Sequence, residues 1–422
     1  MIKKITFILS ILIFSNSFSQ KNYSSIYSRY GIGELTPQGY SNNFAMGFTG
    51  IAFRDKNLLN DKNVASYTAF DTMTVIFNFG LNGKYSNVQT GNVNEDHYYA
   101  NISNISMGFP ITRWYYAGIG MRPYSATNYS ITNVTNLEDD DKNIITELTQ
   151  NYTGIGSINQ FYISQAFKIT KNLSLGAHIS YLYGNIKNTT SLIFPADYGA
   201  NNLFEENTTY INDFYFDFAA QYYTKISDNY KITLGLTYDL QKNIASQTST
   251  TVQSYQGTSG AYNDTLEMGN TAKDNLTLPM AIGGGLGIQY KNKYNFMVDY
   301  TFTNWKSAKF FEDVDVSNSS KINVGLEIMP SHNSLKYFNR VKYRLGGFYK
   351  KSYVIVNENQ IQDFGITFGF GMPIRKTGTS FNFAFVLGKT GAPKGGLVTE
   401  KYVGFNLSLS FMDKWFFQRK FD

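Results

Sequence analysis

The stretch YKITLGLTYDLQ, which runs from Tyr230 to Gln241, alternates between apolar and polar residues at every position. The apolar set consists of Tyr230, Ile232, Leu234, Leu236, Tyr238 and Leu240. Because successive side chains of a strand point to opposite faces, this pattern predicts a β-strand with one apolar face and one polar face. The fold therefore depends on whether the apolar face contacts a protein core or lipid.

The same alternation recurs along most of the chain. It is clear in DFYFDFAAQYYT, residues 213–224, and in DFGITFGFGM, residues 363–372, and neither apolar face carries a charge. Fourteen such runs are predicted, near residues 70–85, 98–109, 115–131, 153–168, 173–187, 208–224, 230–245, 276–290, 294–306, 320–328, 340–351, 362–373, 380–389 and 401–411.

Three observations indicate that the apolar faces contact lipid. Charged residues make up only 16% of the chain, whereas a typical soluble domain carries about 25%. Short connections such as residues 170–173 alternate with long polar segments near 132–152, 188–208 and 246–276, as in outer-membrane barrels. Tyr230 and Tyr238 lie roughly 26 Å apart along a strand, which suits a tilted crossing of an apolar band about 25 Å tall.

These observations predict an all-β fold, a 14-stranded antiparallel transmembrane β-barrel that spans residues 70–411. The barrel must close, because hydrocarbon cannot satisfy the free backbone groups of an open sheet edge. Past residue 20 the sequence contains no run of 18 or more apolar residues, so it offers no spanning helix.

The first nineteen residues have the features of a signal peptide. Lys3 and Lys4 precede an apolar stretch from Ile5 to Phe14, and small residues follow at Ser17 and Ser19. The alternative is a membrane anchor, but about ten apolar residues are too few to span a bilayer. The sequence therefore predicts export, with cleavage near Ser19, to the outer membrane of a Gram-negative bacterium. The net charge of +6 is scattered along the chain and does not indicate nucleic-acid binding.

Residues 20–69 show no strand period and contain many aromatic and apolar residues, among them Tyr27, Tyr30, Phe44 and Phe48. A fourteen-strand barrel is wide enough to hold water unless something fills it. We expect this segment to form a plug inside the lumen. The alternative is a disordered periplasmic tail, although such tails carry fewer aromatic residues.

The motifs YSRYGIGEL (27–35), AMGFTGIAFRD (45–55) and NDKNVASYTAFDTMTVIFNFG (60–80) resemble the start of FadL-type outer-membrane proteins, as they occur in Bacteroidota. The resemblance implies a fourteen-strand barrel, an N-terminal hatch inside it, and uptake of hydrophobic compounds. The Asn-Pro-Ala of such hatches corresponds here to Asn63-Val64-Ala65, so valine replaces the proline. The hatch and ligand-path candidates are Arg29, Tyr30, Asn63, Ser66 and Tyr67.

Pro123 is the one proline that falls inside a predicted strand. Proline removes a ladder hydrogen bond, so it predicts a bulge or an interrupted pairing. The resemblance offers a second interpretation, because FadL-like barrels have a kink in the third strand that opens a side exit for hydrophobic cargo. In that case Arg122, Pro123 and Tyr124 would form a lateral gate.

The sequence gives no indication of an enzyme, a metal site or a cofactor. The three histidines, His97, His178 and His332, are far apart, and we place them in a loop, on an inward strand position and beside a turn. The glycine-rich GGGLG at 283–287 lies within a strand run, so it predicts a close approach by the plug or by neighbouring backbone. Charges on the polar strand faces, such as Asp299 and Lys342, are expected to pair with one another and with Arg29 or Arg54, rather than to form a path for a charged substrate.

The predicted last strand has Tyr402, Phe405, Leu407, Leu409 and Phe411, and it resembles the terminal signal that barrel-assembly machinery recognises. Residues 412–422 form an aromatic and basic tail, which suits the periplasmic membrane interface or a docking partner. The acidic run at 138–141 falls in an outer loop, either as a solvated tip or in cation-bridged contact with lipopolysaccharide.

Two functions remain open from sequence. The first is passive uptake of a hydrophobic or amphipathic small molecule through a plugged barrel in contact with outer-membrane lipid. The second is a non-transporting accessory subunit of an outer-membrane protein secretion or assembly complex, as FadL-like barrels of Bacteroidota also form. An outer-membrane enzyme is a distant third.

Overall fold

The computed structural model describes residues 25–91, 93–138, 144–195, 198–256, 262–267, 269, 272–310, 314–374, 378–392 and 398–415. The predicted signal peptide, the acidic residues 139–141 and the tail beyond residue 415 lie outside the described residues. Within this part of the chain, no helix has both the length and the apolar character needed to cross a membrane.

Fourteen antiparallel strands form one closed barrel, as the sequence predicted. They are β1 (Thr74–Thr90), β2 (Val93–Pro110), β3 (Tyr115–Glu138), β4 (Ile144–Lys168), β5 (Leu173–Ile193), β6 (Asn202–Lys225), β7 (Tyr230–Asp239 and Lys242–Tyr255), β8 (Tyr262–Glu267, Ala272–Leu278 and Ala281–Tyr290), β9 (Tyr294–Thr303), β10 (Ser319–Ile328), β11 (Lys342–Val356), β12 (Asn359–Pro373), β13 (Ser380–Gly391) and β14 (Thr399–Lys414). The barrel closes where β14 pairs with β1, from Thr399 opposite Gln89 to Lys414 opposite Thr74.

The apolar face of the opening stretch points outward. Leu234 and Leu236 are 49% and 61% exposed, and Tyr230 and Tyr238 lie on the same face. On the opposite face, Gly235 touches the N-terminal segment at Ile51. A barrel whose apolar side chains cover the outside and whose polar side chains line the inside is suited to lipid.

Strands β3 to β8 are much longer than the sequence predicted. The segments near 132–152, 188–208 and 246–276 were expected to be loops, but most of their described residues continue the ladders between β3 and β4, between β5 and β6, and between β7 and its neighbours β6 and β8. Their residues are mostly polar on both faces, for example Thr132, Asn133 and Thr135. Backbone pairing continues there without an apolar face, so alternation of hydrophobicity does not reveal it.

Residues Ser25–Met73 precede the barrel and pack against its inner wall. They contain the short helices Ile26–Arg29, Ser41–Phe44 and Val64–Ala69 and the two-residue strand Glu34–Leu35. All residues from 40 to 53 are buried. Strand β1 begins at Thr74 rather than at Phe70, because Phe70 is buried against Tyr67 with ring centroids 5.1 Å apart. Two further short helices, Trp305–Ser307 and Tyr337–Arg340, lie in connections.

The glycine-rich stretch of β8 is a site of close approach, as predicted. A Cβ atom added at Gly285 would lie 2.9 Å from the Ala52 nitrogen, and one added at Gly283 would lie 2.7 Å from the Ile51 side chain. Gly284 faces outward and has open space. The missing side chains let the backbone of the N-terminal segment lie directly on the wall.

Candidate functional site

The N-terminal segment is anchored to the wall by the carboxylate of Asp299 on β9. Asp299 is fully buried, and its Oδ2 accepts hydrogen bonds from the backbone N–H groups of Gly50, at 2.7 Å, and Ile51, at 3.0 Å. The ammonium of Lys62 lies 3.5 Å from the same oxygen. Burial lowers the pKa of Lys62, although the Asp299 carboxylate opposes that shift. One buried charge therefore holds two parts of the segment.

Asn63 forms a second anchor next to the first, because it binds the carbonyl of Ile51, whose N–H group Asp299 binds. Its Nδ2 donates to the Ile51 carbonyl at 2.8 Å and to the Ala220 carbonyl of β6 at 3.0 Å. Its Oδ1 accepts from the Ala65 N–H and caps the helix Val64–Ala69. The asparagine of the predicted hatch motif thus fixes both its own helix and the wall, and the helix forms with Val64 in place of proline.

A chain of ion pairs joins the segment to β10 and β11. The Lys342 ammonium lies 2.6 Å from an Asp55 oxygen and 3.6 Å from Glu327, and Glu327 also accepts from the Arg344 guanidinium at 2.8 Å. Burial alone would raise the pKa of Asp55, but Lys342 outweighs that effect and leaves the pKa below its ordinary value.

The prediction that inward charges pair with one another is correct for these residues, but the roles given to Arg29 and Arg54 are wrong. The Arg29 guanidinium lies 4.2 Å from the centre of the Tyr152 ring, and that of Arg54 lies 3.8 Å from the Tyr223 ring. Arg54 also donates to Gln221 at 3.2 Å. Arg29 is held by an aromatic ring, and Arg54 by an aromatic ring and neutral oxygens. Counting charged residues in a sequence does not reveal such contacts.

Pairing between β2 and β3 stops early. The ladder runs from Pro110 opposite Tyr116 to Ile105 opposite Met121 and goes no further along the described strands. Beyond it, β3 pairs instead with the short strand of the N-terminal segment, through Glu34 opposite Ala126 and Leu35 opposite Ser125. The wall is therefore interrupted at this point and is covered from inside.

The predicted bulge at Pro123 lies at this interruption. The register between β3 and β4 shifts between Pro123 and Ser125, because proline has no N–H to donate to the ladder. The freed carbonyl of Tyr124 accepts instead from the Thr36 N–H at 3.0 Å. The bulge interpretation is correct, and the lateral gate stays a prediction.

A cavity of about 340 Å³ lies in the lumen between the N-terminal segment and the wall, and it extends from the interruption to strands on the other sides of the barrel. All three gate candidates, Arg122, Pro123 and Tyr124, line it, together with Leu35 and Trp305. The hatch candidates do not line it; they are buried elsewhere in the segment or hold it to the wall. The Tyr30 carbonyl accepts from the Tyr353 hydroxyl at 3.1 Å, and Ser66 is 2% exposed.

A buried hydrogen-bond network connects the segment to β3 and β4. The Asp61 carboxylate accepts from the Tyr67 hydroxyl at 2.6 Å and from the hydroxyl of Tyr162 on β4. The Arg122 guanidinium lies 5.0 Å from the centre of the Tyr162 ring and donates to Gln160 at 2.9 Å. Sequence inspection did not single out Asp61 or Tyr162, because their roles depend on a contact across 101 positions of the chain.

The residues of the last strand lie on two faces. Phe405 and Phe411 face outward, and Leu407 and Leu409 share that register. Tyr402 differs from the other four predicted residues, because it faces inward, where its hydroxyl donates to Asp363 at 2.8 Å. Residues 402 and 405 are separated by an odd number of positions, so a strand places them on opposite faces.

The histidines do not form a site. His97 lies in β2 rather than in a loop, and His178 on β5 pairs with Asp217 at 2.6 Å. Among the described residues, no group of three or more His, Asp or Glu side chains is arranged to hold a metal ion.

Solved structures with the same fold are hydrophobic-compound channels and a FadL homologue. The Pseudomonas putida toluene transporter TodX gives a TM-score of 0.61 at 14% identity, with 91% of this chain and 100% of that chain covered. A Pseudomonas aeruginosa FadL homologue gives 0.59 at 13%, covering 92% and 100%. The Ralstonia pickettii toluene transporter TbuX gives 0.54 at 14%, covering 89% and 98%. At these identities the likeness concerns the fold, which is that of Gram-negative outer-membrane proteins.

The family is a separate matter from the fold. A comparison with curated proteins finds no match. The model of the family described as BamG matches residues 1–422, which is the whole chain. The predicted likeness to FadL-type proteins thus holds for the barrel and not for the family. On that match, the protein belongs to the BamG family.

Proposed function

We propose that this protein is an accessory subunit of an outer-membrane protein assembly complex and does not itself carry solutes. The match of the whole chain to BamG favours an assembly-related role. The observation that carries the proposal is the anchoring of the N-terminal segment. It is bound by Asp299, by Lys342 and by the Ala220 carbonyl, which lie on β9, β11 and β6.

Anchoring of this kind favours a permanently filled barrel. Breaking a buried ion pair by removing one partner costs roughly 3–5 kcal/mol, and displacing the segment would break the pairs of both Asp299 and Lys342. A solute path through the lumen would require that displacement in each cycle. A filled barrel instead offers its outer wall and its loops to other membrane proteins.

Affinity purification in a mild detergent tests the proposal. We expect other outer-membrane proteins to co-purify in stoichiometric amounts with the tagged chain, and deletion of the chain to lower the amounts of other outer-membrane barrels. A tagged barrel of unrelated sequence, expressed at the same level, is the control. Isolation of a lone barrel together with an unchanged outer-membrane proteome would contradict an accessory role.

The second candidate function is uptake of a hydrophobic small molecule through the side of the barrel. It is favoured by the cavity of about 340 Å³ next to the unpaired part of β3. The barrels of similar fold that are described as toluene transporters make toluene a suitable probe. In this case the strand Glu34–Leu35 would have to leave β3.

An engineered disulfide separates the two functions. The chain has no cysteine, and Leu35 lies opposite Ser125, so Leu35→Cys with Ser125→Cys meets the spacing that a disulfide needs. If the side route carries cargo, oxidation should reduce toluene uptake at least tenfold, and reductant should restore it, while outer-membrane protein assembly stays unchanged. Thr132→Cys with Asn151→Cys, which joins β3 to β4 above the gap, is the control. Equal uptake by the oxidised and reduced protein rules out this route.

A further inference from the structure

The outward wall of β12, β13 and β14 contains a groove of about 570 Å³. Its floor is apolar and consists of Phe364, Ile366, Leu387 and Val403, and its upper end carries Lys389 and Lys401. The groove opens on the lipid-facing side of the barrel, and at Gly365 and Gly388 it reaches the rings of Phe348 and Tyr402, which also line the lumen cavity. Its occupant must therefore come from the membrane.

The two lysines mark the end of the apolar band. Outward positions of β14 are Phe411, Leu409, Leu407, Phe405 and Val403, and the next is Lys401. The ten residue-to-residue steps from Phe411 to Lys401 span roughly 33 Å along a strand, and a tilt near 40° reduces this to about 25 Å, the height of an outer-membrane apolar band. Lys401 is thus at headgroup level on the side of the barrel opposite the chain's C-terminal end.

Two lysine side chains lie side by side at this level. Lys389 and Lys401 are directly opposite each other in the β13–β14 ladder, and both are exposed. In the described part of the chain, neither has an ion pair. The nearest carboxylate in the same row, Asp96, accepts from Asn87 at 2.8 Å and from Tyr85 at 2.9 Å. Adjacent like charges on neighbouring strands are unfavourable unless an anion lies between them.

We propose that this groove binds a phosphate-bearing lipid of the outer leaflet, of the lipid A class. An acyl chain lies along Phe364, Ile366 and Leu387, and a phosphate accepts from both lysine ammonium groups. The inference rests on an outer-membrane location with the β13–β14 connection on the cell surface. It does not depend on whether the barrel assists assembly or carries a solute.

The test uses the full-length protein, purified in dodecyl maltoside and titrated with hexa-acyl lipid A. Native mass spectrometry measures the fraction of the protein that carries bound lipid at each concentration. Each lysine at a membrane surface contributes about 1 kcal/mol, so K389Q/K401Q should weaken binding roughly 30-fold. Lys351→Gln is the matched control, because Lys351 is an exposed lysine on β11 outside the groove. Heat-modified gel mobility verifies that each variant is folded.

A second ligand distinguishes the proposed lipid from anionic lipids in general. Phosphatidylglycerol should bind at least tenfold more weakly than lipid A, since it has a single phosphate and fewer acyl chains. If the double variant and the wild type bind lipid A with equal affinity, the proposed site is wrong. If the wild type binds lipid A and phosphatidylglycerol with equal affinity, the proposed ligand class is wrong. Co-purification of protein partners tests the accessory role separately.

Discussion

Replacement of Asp299 by alanine is expected to release the N-terminal segment from the barrel wall. The substitution leaves Lys62 buried without its carboxylate and deprives the N–H groups of Gly50 and Ile51 of their acceptor. Removing one partner of a buried pair costs roughly 3–5 kcal/mol, which is a large part of the stability of most folded proteins. Limited trypsin digestion should then cleave after Arg54 and Lys62, where the wild type resists, and planar bilayers should show new ion conductance.

Two control variants separate the anchor from a general loss of charge. Asp299→Asn keeps an acceptor oxygen for the backbone N–H groups but loses the ion pair, so its effect should be intermediate. Asp96→Ala removes an exposed carboxylate on the outer wall and should leave digestion and conductance unchanged. If Asp299→Ala behaves like the wild type in both assays, the carboxylate does not anchor the segment.

Gly346→Ala on β11 is expected to disturb the same segment by overpacking. A Cβ at this position would lie 2.2 Å from the Gly47 nitrogen and 2.3 Å from the Met46 carbonyl carbon, both of which are backbone atoms that cannot rotate away. Overpacking of a filled interior typically costs about 1–3 kcal/mol. We expect the midpoint of urea unfolding in detergent to fall, with a larger trypsin-sensitive fraction.

Gly284→Ala is the matched control for this variant. Gly284 lies in the barrel wall like Gly346, but it has no atom within 4 Å of the added Cβ. The same change from glycine to alanine should therefore leave the unfolding midpoint and the digestion pattern as in the wild type. Equal destabilisation by the two substitutions would point to loss of backbone freedom rather than contact with the N-terminal segment.

The barrel itself could be predicted from sequence because lipid imposes a strict rule on the outer face. Every crossing strand needs an apolar residue at every second position, so stretches such as residues 230–241 can be recognised singly. The upper parts of β3 to β6 could not be predicted, because in water both faces of a paired strand can be polar. There, hydrogen bonds between backbones determine the structure, and the hydrophobicity of the side chains does not alternate along the strand.

The anchors of the N-terminal segment were only partly predictable. Asp299 could be recognised as an inward charge, but its partners are backbone N–H groups about 250 positions earlier in the chain. Asn63 could be recognised only through a resemblance. The lysine pair at 389 and 401 depends on the register of two strands, which no single strand determines. The glycine-rich stretch GGGLG at 283–287 was an exception, because absent side chains within a strand directly indicate a close approach.

The unequal lengths of the strands have a consequence for how the protein meets its surroundings. Strand β4 has 25 residues and β9 and β10 have 10 each, a difference of roughly 50 Å along the strand. Strands β3 to β8 therefore extend farther from the bilayer than β9 to β14 do. One half of the barrel forms a raised wall, and the other half ends near the headgroups. Antibodies and bacteriophages would meet the tall half first, and any large neighbour would have to approach over the low rim.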